Sequence, residues 1–294
     1  MAKYPLHRWQ LPPLRQGRAA PPAIVERRAQ LAGLAALHPV DGRVAQRIET
    51  IGKVSCHIVG PEEAAATILY FHGGGYRLGE AATWLGFTAG LARDGGIRFV
   101  LPDYRLAPEH PFPAAIHDAA STYVALRDAG TAPLIAAGDS AGGGLAAALV
   151  ALAQANGDRG PDGLILLSPW LDLSVVSGTY DSHAATDNMF SRDSATEAAE
   201  LYLQGESADQ PLASPLNADL SAFPPVQLFC GGHEVLLGDS LAFVARLAKA
   251  NRTVEAHFMA SMQHVWPMIA PDLCEAGALR LHFVRFARSI VEGR

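Results

Sequence analysis

The residues best suited to chemistry lie in Gly138-Asp139-Ser140-Ala141-Gly142, where a serine sits between two glycines, and upstream in Phe71-His72-Gly73-Gly74-Gly75-Tyr76. A serine hydroxyl is a weak nucleophile in water. It needs a base to take its proton and donors to hold the oxyanion formed when it attacks a carbonyl. With 28 Gly in the chain a lone G-x-S-x-G arises readily by chance, whereas a histidine followed by three glycines is far rarer, and chance is a poor explanation of the pair. The serine motif has mechanical meaning only where a strand turns sharply into a helix. Pro133 to Ala137 reads as a short buried strand and Ala141 to Asn156 as an Ala/Leu-rich helix without proline, so Ser140 falls at that junction. Glycine at 138 and 142 suits a strained turn whose strand and helix pass too close for side chains. The helix N-terminus then leaves the amide of Ala141 free for an oxyanion, and the bare amides of Gly73 and Gly74 supply the remaining donors.

Imidazole is the side chain that serves as general base near neutral pH, and the chain has 11 His. Position disposes of most of them. His7 and His38 fall in an irregular N-terminal stretch, His57 and His257 in strands, His282 in a helix and His183 in an insertion. His110 and His117 adjoin a proline-rich turn, and His72 belongs to the glycine run, whose loop its ring would orient. His233 is next to a residue better suited to another role. His264 follows the last strand in the short loop Ala260 to Trp266, where a base would come down onto Ser140. A carboxylate must fix the tautomer of that imidazole. Glu234, in Gly231-Gly232-His233-Glu234 after another strand, is favoured; Asp239 is its rival, though Asp239-Ser240 opens a helix and suits an N-cap, and Asp172 is a third candidate. The resulting order of serine, acid and histidine is that of α/β-hydrolases.

The elements that must hold these groups alternate. Strands are expected at Ile51 to Val59, Ala66 to Phe71, Arg98 to Leu101, Leu134 to Ala137, Gly163 to Leu167, Val226 to Cys230 and Val254 to Met259. Helices fit Trp84 to Ala92, Ala114 to Asp128, Leu145 to Asn156, Ser240 to Asn251 and Cys274 to Val291. This rhythm predicts an α/β architecture, a mostly parallel twisted sheet with helices on both faces. Two stretches break it. Residues 1–45 carry Pro12-Pro13, Pro21-Pro22 and short helical pieces, and residues 173–222 form a long insertion; both are assigned to a cap region over a catalytic domain of residues 46–172 and 223–294.

Composition bounds the rest. The apolar share of 49% and charged share of 18% indicate a globular chain, and a net charge of −6 gives no electrostatic reason to expect nucleic acid or an anionic membrane as partner. A small neutral substrate is expected instead. No apolar signal core follows Met1 to Arg8 and no window reaches the ~18 apolar residues of a membrane span, so the chain is expected to be soluble and cytoplasmic. Cys56, Cys230 and Cys274 are too scattered for a disulfide framework or a zinc site and are expected to be buried free thiols.

Five motifs in order resemble the hormone-sensitive-lipase-like bacterial carboxylesterases, family IV esterases of the α/β-hydrolase superfamily: His72 to Gly75, Asp103 to Ala114, Gly138 to Gly143, Ser168-Pro169 and His264 to Pro267. The resemblance spans roughly residues 50–290. It implies an α/β-hydrolase fold with a helical cap, Ser140 as nucleophile, His264 as base, oxyanion donors at Gly73, Gly74 and Ala141, no metal or organic cofactor, and a homodimer through an edge strand. The Asp103 to Ala114 stretch would be structural, with Arg105 and Glu109 needing partners if buried. Relatives often carry Asp as the acid, which keeps Asp239 open beside Glu234. The implied activity is hydrolysis of small, neutral, short- to medium-chain acyl esters through an acyl-enzyme. The same site would serve an amidase, a carbamate hydrolase or an acyltransferase, and a ligand-binding protein on a hydrolase scaffold is the alternative of another class. Tyr76, Trp84, Trp170, Phe190 and Tyr202 are candidate pocket walls, although aromatics are more often core.

Overall fold

The computed structural model describes residues 9–131 and 133–293. His7 and the reading of residues 1–8 as free of a signal lie outside them. Eight strands form one sheet in the order β1-β2-β4-β3-β5-β6-β7-β8. They are β1 Gln46–Ile51, β2 Val54–Val59, β3 Thr67–Phe71, β4 Arg98–Pro102, β5 Leu134–Asp139, β6 Gly163–Leu167, β7 Val226–Gly231 and β8 Val254–Met259. From β4 to β8 every neighbouring pair is parallel, while β1, β2 and β4 pair antiparallel.

The expected strand at Ile51 to Val59 is corrected. Gly52 and Lys53 both adopt positive φ, 59° and 71°, and fold residues 46–59 into a hairpin in which Ile51 pairs with Val54. A two-residue turn of this hand matches the twist of the strands it joins, and Gly52 carries the part of it that costs another residue most. The apolar alternation runs through that turn without a break, which hides it.

The helices are α1 Pro22–Ala32, α2 Leu85–Gly95, α3 Ala114–Asp128, α4 Ala141–Ala155, α5 Thr179–Ser182, α6 Arg192–Leu203, α7 Leu237–Lys249, α8 Trp266–Ile269 and α9 Cys274–Glu292. The central strands β3, β5, β6 and β7 are buried at every position, which is what their Val/Ile/Leu-rich runs require when both faces are covered. Successive residues of one strand serve different cores. Leu69 and Phe71 pack with α3, α4 and α7 on one face, and Ile68 and Tyr70 with α2 and α9 on the other. Cys56 and Cys230 are buried free thiols as expected, but Cys274, at the first turn of α9, is exposed.

The tightest point of the fold is the turn from β5 into α4. A Cβ on Gly138 would sit 2.4 Å from the backbone of Gly142, and one on Gly142 would lie 2.0 Å from the Phe71 carbonyl oxygen and 2.5 Å from that of His72. Strand β3, its following loop and helix α4 are therefore in backbone contact, and nothing at these two positions can give way by rotating a side chain. Gly142→Ala should destabilise the fold by about 3 kcal/mol or more, at the upper end for overpacking, because backbone must shift. Urea unfolding of the purified variant checks this, and a midpoint equal to the parent's would contradict it.

Candidate active site

Ser140 is held at φ 52°, ψ −123° between β5 and α4, a conformation disfavoured for a residue with a Cβ. Two backbone bonds impose it: Ser140 N–H donates to the Leu167 carbonyl at 2.9 Å, and the Ser140 carbonyl accepts from Trp170 N–H at 2.9 Å. Both partners flank the end of β6, so the strained turn is clamped by the neighbouring strand. The result pushes Oγ out of the turn, with Ser140 still only 7% exposed.

His264 meets that oxygen. Its Nε2 lies 3.0 Å from Ser140 Oγ, and its Nδ1 lies 2.8 Å from Glu234 Oε2. Glu234 is fully buried and its other oxygen, Oε1, accepts from Ser168 Oγ at 2.6 Å and from Gly231 N–H at 2.5 Å. A buried carboxylate satisfied in this way can orient an imidazole without turning away to find donors. Asp239 does not reach His264. It lies in the first turn of α7, two residues after the helix begins, and its Oδ2 accepts the amides of Leu171 and Asp172 at 3.1 and 3.0 Å. It is thus neither the N-cap that its place in the sequence suggested nor a partner of the histidine. Asp172 uses Oδ1 to accept Ser174 N–H at 2.9 Å.

Two residues of this network have no role readable from the sequence. Ser168 spans Glu234 and the loop of His264, since its Oγ also accepts from Val265 N–H at 3.1 Å. Asp187, in the insertion, accepts the amides of Met189 and Phe190 through Oδ1 and that of Val235 through Oδ2, all at 2.9 Å. The insertion is thereby fastened to the residue after Glu234, and Phe190 stacks on the His264 ring at 5.8 Å between centroids. Only the Ser168-Pro169 pair was visible beforehand, as a motif without a role.

The glycine run departs from expectation at one position. The Gly73 amide donates to Asp139 Oδ1 at 3.1 Å and is not free for an oxyanion. Gly74 and Gly75, at φ 121° and 62°, line the cavity beside Ser140, and neither amide has a hydrogen-bond partner among the described residues. The amide of Ala141, first in α4, has no acceptor within its helix. His72 does orient the loop: its Nδ1 lies 2.8 Å from the Gly73 carbonyl, its ring stacks on Tyr104 at 4.4 Å, and burial lowers its pKa to about 4, so it stays neutral. The structural stretch is also partnered, with Arg105 on Asp118 at 2.8 Å and Glu109 on Arg28 at 2.7 Å.

The cavity over Ser140 and His264 measures about 140 Å³. Its walls are mostly apolar and come from three parts of the chain: Leu31 and Leu34 near α1, Met189 and Phe190 in the insertion, and Trp84, Val265 and Met268 on the sheet side. Of the aromatic candidates, Trp84 and Phe190 are walls, while Tyr76, Trp170 and Tyr202 are core, with Tyr76 and Tyr202 stacked 4.0 Å apart. The N-terminal and inserted segments are joined by Arg27, whose guanidinium reaches Glu197 on α6 at 2.6 and 2.9 Å; Glu197 also pairs with the buried Arg77 of the glycine loop. Among the described residues no trio of His, Cys, Asp or Glu is placed to hold a metal at this cavity, and no helix is long and apolar enough to cross a membrane.

A family profile described as an alpha/beta hydrolase fold matches residues 68–268. An acetyl-hydrolase of Streptomyces hygroscopicus is 34% identical over 265 residues, covering 89% of this chain and 87% of the relative. An esterase of Acinetobacter venetianus is 33% identical over 233 residues, covering 78% and 77%. Among solved structures, an esterase of the bacterial hormone-sensitive lipase family superposes with a TM-score of 0.89 at 31% identity over 93% of both chains, and a hormone-sensitive lipase from a metagenome library with 0.87 at 36% over 94% of both.

Burial by itself would lower the pKa of His264, but the hydrogen bond and charge of Glu234, aided by the charges of Asp187 and Asp139, outweigh it and raise the imidazole above its usual 6.5. Neutral His264, the form able to accept a proton, is therefore lost as pH falls through a value above 6.5. Following the His264 ring proton by NMR across pH should show this midpoint, and Glu234→Gln should lower it. An unchanged midpoint in that variant would mean that Glu234 does not act on the ring.

Proposed function

The chain belongs to the bacterial hormone-sensitive-lipase family of α/β hydrolases and is a carboxylesterase, and from that premise we propose that Ser140, His264 and Glu234 carry the reaction on small, neutral esters of short to medium acyl chains. The observation that carries this reading is the unbroken relay from Glu234 Oε2 through both nitrogens of His264 to Ser140 Oγ, opening on an apolar cavity. Ser140 Oγ attacks the ester carbonyl as His264 Nε2 takes its proton, and Glu234 stabilises the imidazolium. The oxyanion accepts from the amides of Gly74, Gly75 and Ala141, Gly73 being committed to Asp139. His264 then gives its proton to the departing alcohol, leaving an acyl group on Ser140. Water attacks that acyl carbon, His264 takes the water's proton, and Ser140 recovers it as the acid leaves.

The walls limit the acyl group. A dry apolar cavity of about 150 Å³ holds a molecule of benzene's size, so 140 Å³ suits an acyl chain of about six carbons or fewer. The name acetyl-hydrolase borne by a relative points the same way. Esters are preferred over amides in this reading because relatives are named esterases and an alcohol leaves a tetrahedral intermediate more readily than an amine does. The assignment of residues 1–45 and 173–222 to a cap is supported, among the described residues, by Leu31, Leu34, Met189 and Phe190 sharing one cavity.

A panel of p-nitrophenyl esters from acetate to dodecanoate, with matched anilides, should show kcat/KM highest for the shorter acyl groups and negligible for anilides. Ser140→Ala should lower kcat by about ten-thousand-fold or more. Rates unchanged in that variant would sink the assignment of the nucleophile, and a preference for dodecanoate would sink the assignment of the acyl pocket.

A further inference from the structure

Away from the catalytic cavity, strand β8 and helix α9 bring together two histidines and a glutamate that the ester chemistry does not use. Glu255 Oε1 lies 2.6 Å from His257 Nε2 and 3.6 Å from His282 Nδ1, and one ligand atom from each of the three falls within 4.8 Å of the others. Glu255 and His257 alternate on one face of β8, and His282 faces them from α9. The sheet register fixes what stands behind them, because Gln227 pairs with Glu255 and Phe229 with His257.

Both neighbours hold the cluster in place. Phe229 stacks on the His257 ring at 4.7 Å and limits its rotation. Gln227 is fully buried, and its Nε2 donates to Glu255 Oε1 at 3.1 Å and to the His282 carbonyl at 3.2 Å, so a single amide ties the strand to the helix at this point. The Oε1 of the same amide is buried and has no hydrogen-bond partner among the described residues. Leaving such an acceptor unsatisfied costs about 1–3 kcal/mol, unless the cluster holds something that supplies a hydrogen.

We propose that Glu255, His257 and His282 form a site for a zinc-class divalent transition metal, with Gln227 as its supporting residue. Two imidazoles and one carboxylate suit zinc, cobalt or nickel, whereas calcium and magnesium prefer all-oxygen sites. Tetrahedral zinc with bonds of about 2.0–2.2 Å sets its donors about 3.4 Å apart; the Glu255 to His282 distance of 3.6 Å is already near that value, while His257 Nε2, hydrogen-bonded at 2.6 Å to the same oxygen, must draw back to admit the ion. Binding needs the lone pair of His257 Nε2, so the neutral ring carries its proton on Nδ1. The fourth position is left for water. An ion here joins edge strand β8 to α9 and leaves the catalytic groups untouched.

Chelator-treated, desalted protein titrated calorimetrically with zinc chloride should bind one ion per chain, and zinc should raise its thermal midpoint. Affinity should fall at least about tenfold in His257→Ala and in His282→Ala, and the thermal shift should vanish in the double variant. These variants should keep their ester turnover, which shows that they fold, and magnesium chloride should produce neither effect. Cys274→Ser, which removes the exposed thiol, should bind zinc as the parent does. The proposal is overturned if no saturable binding occurs, if affinity is unchanged in the histidine variants, or if binding disappears only with Cys274.

Discussion

Everything at the catalytic end of the sheet depends on one close approach, that of Gly142 to the carbonyls of Phe71 and His72. It brings the N-terminus of α4 against the loop after β3, so the nucleophile and its glycine loop are set by the same backbone contact. The strain at Ser140 is tolerated because bonds to Leu167 and Trp170 over-determine the turn. Without side chains at 138 and 142 the two strands and the helix can close up; with them, the glycine loop and the serine would be separated by the width of a methyl group. The position of the serine is thus a consequence of backbone packing.

Around that contact lie several buried carboxylates with different tasks, and their surroundings explain the division. Glu234 faces His264 and is satisfied on its other oxygen by Ser168 and Gly231. Asp139, under the nucleophile, accepts from Tyr70 at 3.0 Å and from Gly73, yet burial outweighs these bonds and pushes its carboxyl up to about 7. Burial does the same to Asp239, also to about 7, where two backbone amides hold the start of the segment after β6. Of the three, only Glu234 is hydrogen-bonded to the histidine; Asp139 braces the glycine loop and Asp239 the segment after β6.

Much of the fold and the site was legible in the chain because the relevant signals are local. Ser140 and its glycines are adjacent residues whose sterics require a strand-to-helix turn, and His264 and Glu234 follow apolar runs that end at the same edge of the sheet. The rest depends on distant partners. Ser168 bridges to Glu234 across 66 residues, and an isolated serine carries no mark of that. Asp187 sits in an irregular insertion, where no periodicity places it. The choice among Gly73, Gly74 and Gly75 turned on a side chain 66 residues away, Asp139, which takes the first amide of the run. The Gly52-Lys53 turn was hidden because apolar alternation continues on both sides of it. The exposure of Cys274 was equally unreadable, since a thiol gives no local sign of which side of a helix it occupies.

The cavity walls have a different origin from the relay. Leu31, Leu34, Met189 and Phe190 belong to segments outside the sheet, and the ion pairs of Arg27 and Arg77 with Glu197 hold those segments to one another and to the glycine loop. Substitutions in these walls change the space offered to an acyl group while leaving the distances among Ser140, His264 and Glu234 to the sheet. Such a layout lets selection explore new substrates without rebuilding the proton path. Descendants of one ancestral chain can then diverge in diet while sharing a single chemistry.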